Sequence, residues 1–393
     1  MTVRRFLATD IPAVNRLHHN VWWPERSAEG WRWLDDNPVR RLLDAPAGWV
    51  IENDDGQAAA FLGNFTQRFW IGDRPLYGAT GFSVIVPPDL KGRSRDLITA
   101  FLRQPGCFIR YTLNANARSC PLYQRYGMRP WPPATHALKL SWILNPTACL
   151  YSRGLRAIVA REPRAARWLG EQLMPLGTRS QNGFSPDLGG DVRLFDDASD
   201  APAYSRFWDA LRGQGRPVAD RSPAMLRWRL TDPDMTHRPV RLVRGIDDDI
   251  TAHALALLGK GNSIEPPALE ILDLEALDRD RAAIPALVAA LLRLAPSLGA
   301  AKVRLHVVSE PLLADLGDLA RRARHEGGWG HCHVAFEPGA EPVGWSPTPF
   351  DGDYSFCIRP LPARKPRGQR RAHGYEVEPT EAKAGAWSVR GAP

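Results

Sequence analysis

The chain has 393 residues, 44% of them apolar and 24% charged, with a formal net charge of +8. That length exceeds what one hydrophobic core ordinarily holds, so two domains are expected. No stretch approaches the roughly twenty consecutive apolar residues of a membrane-spanning helix, and no apolar run follows Arg4 and Arg5 as it would in a secretory leader.

Five scattered cysteines (Cys107, Cys120, Cys149, Cys332, Cys357) lack C-x-x-C spacing. They argue for reduced thiols in a cytoplasmic protein, against a zinc site and against a disulfide framework. Residues 361–393 carry seven Lys or Arg against three Glu, amid much Pro, Gly and Ala. That composition cannot bury a core, so a disordered basic tail is expected over 359–393. A solvated end suits it better than a nucleic-acid partner, and none is expected.

Taken in order, residues 3–7 read as a strand, with Asp10 as a helix cap and Pro12 in the first turn. Ile11, Val14, Leu17, His18 and Val21 then recur at helical spacing. A second short helix ends before Pro38. Residues 49–52 and 58–65 pair through the hairpin turn Asn53-Asp54-Asp55-Gly56. The strand 77–86 is stopped by Pro87-Pro88-Asp89. Residues 91–102 are helical, 108–113 a strand, 119–126 a short helix and 136–144 a closing strand of the same sheet. This is an α/β mixture with a parallel pair in its second half.

Residues 151–185 form a hinge in which Arg153, Arg156, Arg161, Arg164 and Arg167 punctuate a helical stretch with Leu155, Ile158, Val159, Trp168 and Leu169. Such a basic amphipathic helix either packs on its own domain or lies on a membrane surface.

The second half repeats the first. Arg32-Trp33-Leu34-Asp35-Asp36-Asn37-Pro38 has its counterpart in Arg227-Trp228-Arg229-Leu230-Thr231-Asp232-Pro233. The same order of elements follows it: a hairpin at 241–257, a strand at 271–274, a helix at 284–294, a strand at 303–307, a helix at 312–324 and a final strand at 333–336. Internal duplication explains the shared order.

The chemistry concentrates where the strand 77–86 passes through Lys91-Gly92-Arg93-Ser94-Arg95-Asp96 into a helix. Free N–H groups and a partial positive charge at a helix N-terminus suit pyrophosphate. The loop taken alone is also an ordinary β–α connection. A second element, Asn116-Ala117-Arg118-Ser119-Cys120-Pro121-Leu122-Tyr123-Gln124-Arg125-Tyr126-Gly127-Met128, follows the next strand. Together the two resemble the GNAT (Gcn5-related N-acetyltransferase) superfamily. Its usual loop is Q/R-x-x-G-x-G/A, for which Lys91, Ser94 and Asp96 stand here. Its later element, N-x-x-S/A-x-x-L-Y-x-x-x-G-F, is matched at Asn116, Ser119, Leu122, Tyr123 and Gly127, with Met128 for the aromatic.

The resemblance covers residues 3–144 and, through the repeat, extends to a diverged second copy. It implies an α/β fold of two tandem GNAT-like domains, each a mixed, mostly antiparallel sheet flanked by helices. The expected organisation is a GNAT-like acyl-CoA-binding domain over 1–148, a linker over 149–198, the diverged domain over 199–358 and the tail.

The resemblance further implies acetyl-CoA or a longer acyl-CoA as co-substrate, and no metal. The backbone of Val84 and Val86 would pair with the pantetheine arm, and the amides of Lys91, Gly92, Arg93, Ser94, Arg95 and Asp96 would hold the pyrophosphate. Tyr123 would protonate the leaving thiolate, and Asn116 would bind the coenzyme or orient the acceptor. A core aromatic and a turn cap are the alternatives for these two. Asp96 brings a carboxylate to a phosphate loop, and Ser94 adopts positive φ less readily than glycine. The strand 77–86 has no Glu, which leaves Asp89, His18, His19 or a water relay as base. At His331-Cys332-His333, the alternation of faces along a strand argues against a metal site.

The expected reaction is N-acylation of an amine, a small molecule or a lipid-like amine such as a sphingoid base. The 14 tryptophans and the basic hinge suit the latter, with peripheral contact at the inner membrane. A non-catalytic acyl-CoA- or partner-binding protein is one alternative. A FemAB-like aminoacyl transferase, supported by the basic tail, is another. The second half has no Gly-rich loop; the acidic Leu277-Asp278-Arg279-Asp280-Arg281 stands in its place.

Overall fold

The computed structural model describes residues 2–21, 23–116, 119–159, 162–173, 186–235, 237–246, 249–260, 264–326, 329–341 and 344–358. In chain order its strands are β1 (Val3–Arg5), β2 (Gly48–Glu52), β3 (Ala58–Ile71), β4 (Arg74–Ile85), β5 (Ile109–Asn116), β6 (Arg129–Pro130), β7 (Lys139–Ile143) and β8 (Val192–Leu194). Then come β9 (Val218–Ala219), β10 (Val240–Ile246), β11 (Asp249–Gly259), β12 (Ala268–Ala276), β13 (Lys302–His306), β14 (Arg324–His325) and β15 (Trp329–Phe336).

These strands build two sheets to one plan. The first runs β1-β2-β3-β4-β5-β15-β6, with β9 added beside β3; the second runs β8-β10-β11-β12-β13-β7-β14. In both, the first three pairings are antiparallel, the fourth is parallel and the last two are antiparallel. The α/β class and the mixed, mostly antiparallel sheets agree with the sequence reading.

One expectation is corrected. Residues 136–144 do contain a closing strand, β7, but it closes the second sheet, pairing with β13 and β14. The second half returns β15 to the first sheet, between β5 and β6. Alternation of apolar and polar residues marks a strand and its buried face, but carries no information about which neighbour it pairs with.

A long helix packs on each sheet. Leu97, Ile98 and Phe101 of the helix Ser94–Leu102 pack on Trp49, Ile51, Ala60, Leu62 and Ala79. Ile284, Leu287, Val288 and Leu291 of the helix Ala283–Leu294 pack on Leu269, Ile271, Val303 and Leu305, and on Leu140 and Trp142 of the exchanged β7. The helix expected over 312–324 is two, Glu310–Leu316 and Asp318–Arg322. It breaks at Gly317, whose φ of +50° favours glycine.

The halves meet through the repeated motif itself. Trp33 and Trp228 stack with centroids 4.4 Å apart and planes 8° from parallel, and Trp33 Nε1 donates to the Trp228 carbonyl at 3.1 Å. The stretch 344–358 then runs between the sheets. Trp345 joins Phe69 and Tyr111, Phe350 and Tyr354 join Tyr204 and Phe207, and Phe356 joins Phe61 and Phe82.

Candidate active site

The parallel pairing of β4 with β5 covers Gly78–Ile109, Ala79–Arg110 and Thr80–Tyr111 and then stops, although β4 continues to Ile85 and β5 to Asn116. A bulge accompanies the parting. The register of β3 on β4 steps from Phe61–Ile85 to Gly63–Phe82, and Ser83 is held at φ +51°. A bulge bends its strand, and a non-glycine residue in that region is held there by its surroundings. Among the described residues no backbone group pairs with the β5-facing edge of 81–85. Its polar groups therefore stand ready for an extended ligand. Val84 and Val86 lie half-buried at this edge.

The second sheet parts in the same way, beyond Ile271–Leu305. There the chain's own segment occupies the parting. Thr348 Oγ1 donates to Asp273 at 2.8 Å, and Tyr354 Oη reaches Glu270 of β12 at 3.0 Å and also His306 of β13.

At the head of the helix Ser94–Leu102, positive φ falls on Gly92 (+96°) and not on Ser94, which begins the helix. The amides of Lys91, Arg93 and Asp96 are already bonded to the carbonyls of Pro88, Leu90 and Arg93. Those of Gly92, Ser94 and Arg95 find no carbonyl among the described residues. Arg93 Nε donates to Asp96 Oδ2 at 2.5 Å, so the carboxylate in the loop is held by a cation beside it. Below the loop lies an open groove of about 990 Å³, lined by Arg95, Thr99 and Arg103 of the helix, Arg5 of β1, and Arg125.

Tyr123 is only 4% exposed. Its ring stacks on His333 at 6.2 Å. Burial pushes its pKa well above the ordinary tyrosine value. Asn116 at the end of β5 is exposed; its Oδ1 accepts the Ser119 amide at 3.0 Å and its own amide donates to Ser119 Oγ at 3.0 Å. It thus caps a local turn. Ala117 and Arg118 of this motif lie outside the described residues.

The sequence reading gave no role to a further residue whose charge reaches Tyr123. Asp353 is 1% exposed, and its negative charge raises the pKa of both Tyr123 and Tyr111. It is carried there by Gly352, where a Cβ would meet the Leu113 side chain at 2.8 Å. The signal available was the run Asp351-Gly352-Asp353-Tyr354, two carboxylates around a glycine beside several aromatics.

The other candidates for a base fall elsewhere. Asp89 is exposed on the loop. His19 is exposed and bonds Glu25 at 2.9 Å. His18 is buried against Trp31 and Phe61, and burial, aided by the Arg26 charge, pulls its pKa from 6.5 to about 4. The folded state therefore resists a proton that the unfolded chain accepts. Stability from this group is complete above pH 6.5 and is lost as pH falls towards 4, by about 3 kcal/mol. In His18→Phe, the loss measured by denaturant titration across that window should shrink by about that amount. An unchanged acid limb would show that His18 does not contribute.

The opposed-face argument at His331-Cys332-His333 is also corrected: residues two apart on a strand share a face, and both histidines approach His136, with centroids 6.0 and 5.8 Å away. Among the described residues no three His, Cys, Asp or Glu side chains group as metal ligands. Burial and the neighbouring imidazoles lower the pKa of both, His333 to about 4.

No family model and no curated protein matches the chain. Solved structures do. Saccharomyces cerevisiae N-myristoyltransferase with bound myristoyl-CoA and inhibitors aligns with a TM-score of 0.50 at 10% identity, over 85% of this chain and 79% of that one. A GCN5-related N-acetyltransferase from Kribbella flavida gives 0.45 at 15%, over 85% and 71%. A probable N-acyltransferase from Enterococcus faecalis V583 gives 0.46 at 10%, over 85% and 72%. The chain shares a fold with that N-myristoyltransferase over 85% of its length.

Proposed function

We propose that the protein is an acyl-CoA-dependent N-acyltransferase whose coenzyme lies where β4 and β5 part. The observation that carries this reading is the parting itself, with Tyr123 and Asp353 near enough to each other for the charge of one to act on the other. An extended pantetheine arm would add to the free edge of 81–85, with Val84 and Val86 in contact. The amides of Gly92, Ser94 and Arg95 would hold the pyrophosphate at the helix N-terminus, where the dipole favours negative charge. Arg95, Arg103 and Arg125 would meet the nucleotide phosphate in the groove.

The chemistry then divides between Asp353 and Tyr123. The Asp353 carboxylate takes a proton from the acceptor's ammonium, and the amine attacks the thioester carbonyl. As the tetrahedral adduct collapses, the C–S bond breaks, Tyr123 gives its proton to the thiolate, and the surplus proton on the amide nitrogen passes to the tyrosinate. Burial keeps the Tyr123 proton in place at neutral pH, as a donor requires.

In this reading residues 1–148 bind the coenzyme, 199–358 shape the acceptor side, and 149–198 link them. Exposed Leu150, Tyr151, Ile158 and Trp168 on the linker helices favour a lipid-like amine, such as a sphingoid base, and a cytoplasmic protein in peripheral contact with the inner membrane. Within the described residues no helix is long and apolar enough to cross a membrane. The basic tail lies outside the described residues.

Calorimetry with acetyl-CoA and palmitoyl-CoA tests the proposal. Binding of neither by folded protein would reject it, and binding without turnover on any amine would favour a non-catalytic role. Tyr123→Phe should lower turnover by about 100-fold with coenzyme affinity unchanged; an unchanged rate would remove Tyr123 from the mechanism.

A further inference from the structure

Past β7 the chain turns into the helix Pro146–Val159, which crosses the charged face of the second sheet. Beneath it lies a pocket of about 330 Å³. Six of its side chains are cations (Lys139, Arg153, Arg156, Lys302, Arg304, Arg324) and only two are carboxylates. Both carboxylates are engaged: Glu265 by Arg156 at 2.9 Å, and Glu326 by Lys302 at 3.0 Å and Arg304 at 3.3 Å. Arg153 and Arg324 make no ion pair among the described residues. Both line the pocket with Cys149.

The back of the pocket holds a second, independent observation. Ser152 is 2% exposed and its hydroxyl has no hydrogen-bond partner. A buried hydroxyl left unsatisfied costs about 1–3 kcal/mol, so a donor kept there suits an acceptor that arrives from outside. Lys139, also 2% exposed, has its pKa drawn down to about 8 by burial and by the Arg304 charge. An arriving anion would offset that excess of positive charge.

We propose that this pocket binds a phosphate monoester, with Arg153 and Arg324 as charge partners and Ser152 Oγ as donor. The site lies on the second sheet, away from the β4–β5 parting, and does not rest on the acyltransferase reading. Its phosphate has two possible sources, a soluble metabolite or the headgroup of phosphatidic acid in a bilayer. Leu150 and Tyr151, 63% and 51% exposed on the same helix, suit the second.

The test uses the full chain. Calorimetry with glycerol 3-phosphate should show binding that the double variant Arg153→Ala/Arg324→Ala weakens at least about tenfold. Ser152→Ala should weaken it severalfold while holding or raising Tm, because the variant removes an unsatisfied buried group. A merely structural serine would leave affinity unmoved. Sedimentation with phosphatidylcholine vesicles, with and without phosphatidic acid, separates the sources. Binding that needs phosphatidic acid and is lost in Leu150→Ser/Tyr151→Ser identifies the lipid; binding of glycerol 3-phosphate alone identifies a soluble ligand. The proposal is overturned if neither probe binds, if binding survives the double arginine variant, or if acetyl-CoA competes for the site.

Discussion

Asp353→Asn should lower kcat by about 100-fold or more while acyl-CoA affinity stays within about twofold, since a general base contributes about 10²–10⁴ to rate. Asparagine keeps the shape of the side chain and cannot take the ammonium proton. The test is single-turnover acyl transfer across a pH series. The variant's rate should stay below the wild type's throughout the series. Asp353→Glu, which retains a base on a longer arm, should recover part of the rate. A normal rate in the asparagine variant would move proton removal to another group.

The largest effect on stability is expected from Arg221→Ala. Arg221 is 1% exposed and its guanidinium bonds both oxygens of Asp273 at 2.8 Å, Asp351 at 2.8 Å and Thr348 at 2.9 Å, over the face of Phe350. Truncation would leave two carboxylates buried without their cation, a loss of about 3–5 kcal/mol. The variant's deficit should diminish as pH falls, because the stranded carboxylates gain more from a proton in the folded state than in the unfolded one. Denaturant titration at neutral and mildly acidic pH reads both. A loss below about 1 kcal/mol would mean that the network does not hold the segment. Since Asp351 is two residues from Asp353, activity should fall with stability.

The parts of this arrangement that were legible in the sequence are the local ones. Asn53-Asp54-Asp55-Gly56 turns a hairpin because Gly56 takes φ +76°, and the Leu97-Ile98-Phe101 spacing marks a helix face. The paired Arg-Trp motifs announced a duplication, though not that their tryptophans would stack on each other. Ser94 and Asp96 looked like damage to a phosphate loop. In the folded loop Gly92 carries the strained conformation and Arg93 holds the carboxylate, which no pattern of single letters conveys. Asp353 was given no role because its role depends on partners such as Tyr123 that lie far away in the chain. The buried charges of β12 and β13 were not legible for a related reason: Glu270 and Arg304 pair across a parallel ladder whose register the sequence does not give.

The exchange of β7 and β15 bears on how the protein can be made and divided. The edge of β5 is closed by β15, and just past the end of that strand Glu337 meets Arg110 from 227 residues further along. During synthesis the first sheet must wait, with that edge bare, until almost the whole chain has emerged, and bare edges attract foreign strands. Nor can a cut in the linker yield two sound halves. Each fragment would keep the other's closing strand and lack its own, so the pair should recover native structure only when mixed. Unfolding should correspondingly be one cooperative event across both units.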